Sequence, residues 1–188
     1  MTINYIIVEI DEAYNNEEDG IVVNSTVESV KHINRIATVL EAPDFTILKK
    51  GDKVICHHNI FRIRNGIKGQ RVRSNYNLED NVYFVPFTEV FMFKREENWE
   101  AIRPYVFIKP AYYNDKKVDN ITLVGNSNNS HKGNKKLRGF VKYPNDDITK
   151  SGVKVGDEVV FSSHSQYEFN VEGETLYKMS TRDILAII

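Results

Sequence analysis

The 188-residue chain is 41% hydrophobic and 27% charged with a formal net charge of −1, so it can bury one medium core or two small ones. The balance gives no global electrostatic pull toward nucleic acid or an anionic membrane. Cys56 stands alone, which excludes an intramolecular disulfide, and no apolar run approaches the about 20 residues that span a bilayer. The start Met1-Thr2-Ile3-Asn4-Tyr5 has neither the basic region nor the apolar core of a signal peptide, so a cytoplasmic protein is expected. In that setting the Asn-x-Ser/Thr triplets at Asn24, Asn120 and Asn128 carry no glycosylation message.

In chain order, β signals dominate: Val, Ile, Phe and Tyr gather in short runs between Asn, Asp, Gly and Pro, the pattern of a small barrel or sandwich. Tyr5-Ile6-Ile7-Val8-Glu9 reads as an opening strand, and the polar stretch from Asp11 to about Lys31 is interrupted by the island Gly20-Ile21-Val22-Val23. Lys49-Lys50-Gly51-Asp52-Lys53-Val54 reads as a tight turn launching a strand, with Gly51 free to take a positive φ. Phe61 to Arg73 is basic, with Asn65-Gly66 as a hairpin turn and alternation setting Arg62 and Arg64 on one face. Tyr83 to Phe91 reads as a closing strand. The charged stretch Lys94 to Glu100 reads as a linker of at most one helical turn, with Trp99 plugging a seam between the halves.

The same stations then return. Tyr105 to Lys109 opens, Asn120-Ile121-Thr122-Leu123 forms a second island inside the polar stretch Asn114 to Lys136, Lys154 to Val159 turns, and Tyr177 to Leu185 closes. Openings and islands are offset by 100 positions. Four stations in one order argue for a duplicated domain, so the expected fold is all-β, two tandem small β-barrels over residues 1–95 and 101–188 joined by the short charged linker. Long polar loops inside compact domains are uncommon unless functional or disordered. An apolar triplet in such a surround cannot bury itself locally and suits ordering against a foreign apolar groove. The alternative is that both islands are ordinary edge strands of the barrel.

No enzyme or metal signature stands out. Cys56-His57-His58 lacks a second Cys at ligand spacing, His32, His131 and His164 are scattered, and in a strand Cys56 and His58 would share one face with His57 on the other. Phosphate-binding glycine loops and a nucleophile elbow are missing from the sequence, so neither catalysis nor a cofactor is expected. Glu17, Glu18 and Asp19 read as solvated charge. The Arg-rich insert could contact nucleic-acid phosphates with Tyr76 or Phe61 as stacking surface, but Glu79 and Asp80 follow at once and the chain is not basic, so a solvated hairpin or chamber wall is the preferred reading.

The stretches Val153-Lys154-Val155-Gly156-Asp157-Glu158-Val159-Val160-Phe161 and Tyr177 to Ile187 resemble the turn and closing strand of the GroES-type co-chaperonins, which cap a GroEL-type chaperonin. Asp19-Gly20-Ile21-Val22-Val23 is similar to that family's mobile loop, and Lys50 to Ile55 to its turn. The resemblance implies two GroES-like domains that self-associate into a ring and bind the partner's apical grooves through Gly20, Ile21, Val22 and Val23 and through Ile121, Thr122 and Leu123, with ATP bound by the partner. From the charge balance and the lack of a long apolar run no membrane partner is expected, and nucleic acid is the less favoured partner. Asn120 replaces the family's usual Gly, and Thr122 sits mid-triplet, which implies a weaker second arm. Only Leu40 to Leu48 and Val141 to Gly152 are left where the family has its roof hairpin, as in some phage-encoded members, so an open-topped dome is expected. The first half is longer elsewhere: Gly51 to Glu89 spans 38 positions against 27 for Gly156 to Asp183.

Magnitudes favour several arms over one. Burying an apolar side chain yields about 1.5–3 kcal/mol, while ordering a loop costs about 1–2 kcal/mol per residue in backbone freedom. A single arm then binds weakly and releases readily, and a ring of arms gains avidity without new contacts.

Overall fold

The computed structural model describes residues 4–10, 17–18, 21–22, 36–61, 63–65, 70–112, 117–118, 121–122 and 134–188. It divides into two compact units, Met1–Ile102 and Arg103–Ile188. The first contains β1 (Tyr5–Glu9), β2 (Glu17–Glu18), β3 (Ile21–Val22), β4 (Ile36–Glu41), β5 (Lys53–Cys56), β6 (Ile63–Asn65), β7 (Arg71–Arg73), β8 (Asn77–Glu79), β9 (Val82–Pro86), β10 (Val90–Arg95) and β11 (Asn98–Ala101). The second contains β12 (Tyr105–Tyr112), β13 (Lys117–Val118), β14 (Ile121–Thr122), β15 (Asn134–Tyr143), α1 (Asp146–Lys150), β16 (Glu158–Phe161), β17 (Tyr167–Val171), β18 (Glu174–Ser180) and β19 (Ile184–Ile187).

Each unit has one main sheet. The first runs β8-β9-β1-β4-β5-β10-β11 and the second β17-β18-β12-β15-β16-β19, so six strands recur in the same order and β11 is an addition to the first. The all-β expectation holds, while neither sheet closes into a barrel among the described residues. Period-two alternation explains the strands: in β1, Ile6 and Val8 are buried while Tyr5 and Glu9 face outward. The first core gathers Ile6, Val8, Val39, Val54, Tyr83 and Val85, and the second places Val106, Ile108, Val141, Val159, Tyr177 and Met179 at the corresponding positions.

The Gly-Asp turns match just as closely. Gly51 and Gly156 both have φ +91°, a conformation that L side chains rarely adopt. The Gly51 amide donates to Val39 O at 2.8 Å and the Val39 amide to Asp52 O at 2.9 Å, against 2.8 and 3.0 Å for the equivalents Gly156, Val141 and Asp157. The carboxylates of Asp52 and Asp157 accept from the Lys49 and Lys154 amides, both at 2.8 Å, and so fix the turn from within.

Several expectations are corrected. Each closing stretch is two strands around a 3-10 turn, Phe87–Glu89 and Thr181–Asp183. The chain therefore leaves a strand paired with β1 or β12 and rejoins the sheet beside β5 or β16. Pro86, which has no N–H to give the ladder, sits at the first corner, and the Asp183 carboxylate accepts from the Ser180 amide at the second. The charged stretch Lys94 to Glu100 is neither linker nor helical turn. It completes β10, turns at Glu96 and Glu97, and returns as β11 with Lys94 opposite Trp99, because the alternation Asn98-Trp99-Glu100-Ala101 buries Trp99 and Ala101. The unit boundary accordingly falls after Ile102.

Residues 42–52 and 144–157 hold no strand, and the second of these connections carries α1. Asn145 caps α1, its side chain accepting from the Asp147 and Ile148 amides at 3.0 and 3.1 Å. Strand β5 stops at Cys56 and His58–Ile60 is a 3-10 turn, so the alternation expected across Cys56-His57-His58 ends there. The inserted β6 and β7 form their own two-stranded sheet, with Asn65 opposite Arg71. Residues 66–70 therefore join them, a longer connection than the Asn65-Gly66 turn expected, and Arg62 lies outside the described residues.

Candidate functional site

In the first unit β1 and β4 are hydrogen-bonded antiparallel neighbours, with Glu9 opposite Thr38, so residues 11–35 form an arm whose two ends are held side by side. In the second, β12 and β15 do the same with Tyr112 opposite Asn134, and residues 113–133 form the arm. The Gly-Asp connections leave β4 and β15 at their other ends, so arm and turn sit at opposite ends of the same strands.

Each arm contains one short antiparallel ladder. Glu17 pairs with Val22 and Glu18 with Ile21 in the first, and Lys117 pairs with Thr122 and Val118 with Ile121 in the second. The two ladders coincide at an offset of 100 positions. Both are two-stranded sheets of their own and, among the described residues, join neither main sheet. Gly20, Val23 and Leu123 lie outside the described residues. The sequence reading named the islands and missed their ladder partners, dismissing Glu17 and Glu18 as solvated charge. The signal that could have found them is the shared offset, which already aligned the islands.

Cys56 is fully buried, and burial first, then the charge of Glu89, pushes its thiol pKa far above the ordinary range. The neighbouring His57 accepts from the Asn59 amide at Nδ1, 3.2 Å away. Among the described residues no group of three or more His, Cys, Asp or Glu side chains could hold a metal ion. Arg73 serves its own unit: it donates to Asp80 O at 2.6 Å and reaches Asn77 Oδ1 at 3.4 Å. No helix among the described residues is long and apolar enough to cross a membrane.

Residues 98–188 match the family model of the chaperonin 10 Kd subunit, a span that covers the whole second unit together with β11. The chain is also similar to the co-chaperonin GroES of Ruthia magnifica subsp. Calyptogena magnifica, 46% identical over 44 residues, which are 23% of this chain and 46% of that relative. The chain thus spans about half the length of the curated relative it matches.

Proposed function

We propose that this protein is a non-enzymatic co-chaperonin that caps a GroEL-type chaperonin, with ATP bound by the partner. The observation that carries the reading is the recurrence of one strand order in both units, only the second of which lies within the matched span 98–188. The equivalent cores and Gly-Asp turns support treating residues 1–102 as a second GroES-like domain in tandem.

The islands Gly20 to Val23 and Ile121 to Leu123 are the binding tips. Their ladders stand apart from the main sheets, which leaves them available to order on a partner's groove. Self-association into a ring completes the cap. An unpaired strand edge is a ready template for another chain, and the outer edge of β19 has no partner among the described residues, with Leu185 64% and Ile187 48% exposed beside it. The Arg-rich insert is part of the scaffold or of the chamber wall, in keeping with the internal use of Arg73.

The test is capture by an immobilised GroEL-type ring with and without ATP. The wild-type chain should be retained in a nucleotide-dependent way, and Ile21→Asp combined with Ile121→Asp should lower retention by about 100-fold or more while circular dichroism and assembly size stay unchanged. Undiminished retention of the double variant would remove the islands from the mechanism.

A further inference from the structure

The two arms share a backbone pattern and carry opposite charge. At the ladder position opposite Val22 the first arm has Glu17, and at the matching position opposite Thr122 the second has Lys117. The surroundings extend the contrast. The first arm, residues 11–35, holds Asp11, Glu12, Glu17, Glu18, Asp19 and Glu28 against Lys31 and Arg35. The second arm, residues 113–133, holds Lys116, Lys117 and Lys132 against Asp115 and Asp119. The net charge of −1 for the whole chain gives no hint of this separation.

Resting on the reading of both islands as binding tips, we propose that the arms select apolar grooves with rims of opposite sign, the first drawn to a basic rim and the second to an acidic one. Thr122 makes the second tip the weaker apolar contact, and the charged flanks decide which rim each arm prefers. Charges at the rim of a contact change association and discrimination more than packing does. They act over about 10 Å at 0.1 M salt and about 3 Å at 1 M. A ring of identical grooves presents one rim chemistry. One arm type is then favoured at low salt and the other is held back by like charge until salt screens it.

Single-arm variants separate the two contributions. Ile121→Asp leaves the first arm intact and Ile21→Asp leaves the second. Retention of each on an immobilised GroEL-type ring with ATP is measured from low to high sodium chloride. The slopes should have opposite signs, each amounting to about threefold or more between about 50 and 500 mM. Adding Glu17→Lys and Glu18→Lys to the Ile121→Asp chain brings residues 11–35 close to neutral and should flatten its slope. If the wild-type chain is retained but both variants show slopes of one sign, or none, the charge inference falls and the capping reading stands. If the wild-type chain is not retained at any salt, both fall together.

Discussion

In the first unit the buried ring of Tyr83 meets Phe61 edge-on with centroids 5.1 Å apart, and in the second the equivalent Tyr177 meets Phe161 at 6.1 Å. Phe161 stands in the strand itself, where the first unit has Cys56, whereas Phe61 comes from the segment that follows β5. An edge-to-face aromatic contact is therefore kept while the residue supplying it moves along the chain. The Gly-Asp turns diverge in the same manner. Asp52, 5% exposed, is gripped by Arg95 through Nε at 3.0 Å and Nη2 at 2.6 Å, and Arg95 Nη2 also reaches Ile47 O at 2.9 Å. In the second unit Asp157 holds its turn by accepting from the Lys154 amide at 2.8 Å. Backbone geometry is common to both units, and the side chains that secure it are local solutions.

The largest test of that division concerns the strand that begins after each arm. Gly139 in β15 corresponds to Ala37 in β4, since Gly139 pairs with Val159 and Ala37 with Val54. A Cβ on Gly139 would collide with the Ile108 side chain and lie 2.6 Å from Lys109 O, so the backbone of β12 must move. Gly139→Ala should destabilise the second unit by about 3 kcal/mol, whereas Ala37→Gly should cost the first about 1 kcal/mol through added chain freedom. Amide hydrogen exchange along β12 and β1 reads the two units separately. Equal effects would mean that the sheets are less alike than their strand order indicates.

The next effect is smaller. Asp52→Ala removes the acceptor for both the Lys49 amide and the Arg95 guanidinium and should destabilise the first unit by about 2 kcal/mol. Asp157→Ala removes the acceptor for the Lys154 amide and should cost about 1 kcal/mol. Denaturant midpoints of the two variants give the ranking, and a reversed order would show that the Arg95 clamp adds nothing net.

What could be read from the residues was the repeated part. β-branched alternation and the Gly-Asp signal report local backbone preference, so openings, turns and islands were found at their positions. Features that depend on pairing partners were not. Tyr83 to Phe91 is mostly apolar and reads as one run, although the chain changes partner from β1 to β5 at Pro86. Lys94 to Glu100 looks like a linker because charge dominates its composition, although Trp99 and Ala101 already had the spacing of a half-buried strand. The four-residue spacing Asn145-Asp146-Asp147-Ile148 is an N-cap signature for α1 that the focus on strands passed over. The arms were legible as special, and their charge opposition needed the matched ladders to become a comparison of equivalent positions.

The smallest expected effect follows the pH dependence of a charge cluster found in the second unit. Glu174 accepts Lys109 Nζ at 2.7 Å and Lys142 Nζ at 3.1 Å, joining β18 to its neighbour β12 and to β15 beyond it. The corresponding residues of the first unit are Asp80, Glu9 and Leu40, which cannot form such a cluster. The hydrogen bond from Lys109 first, then that from Lys142, holds the Glu174 carboxyl pKa below its ordinary value. A carboxylate whose folded pKa lies below its unfolded one adds stability above the ordinary glutamate range, and that stability is lost as pH falls through the folded value. Both lysines are partly exposed, so solvent screens the gain. Glu174→Gln should therefore lower the melting temperature at neutral pH by about 2 °C or less. The difference from wild type should shrink as pH drops below the ordinary glutamate range and also as salt rises. A difference that persisted unchanged in acid would assign Glu174 a packing role, and the contrast between the units at this position would then be one of shape rather than of charge.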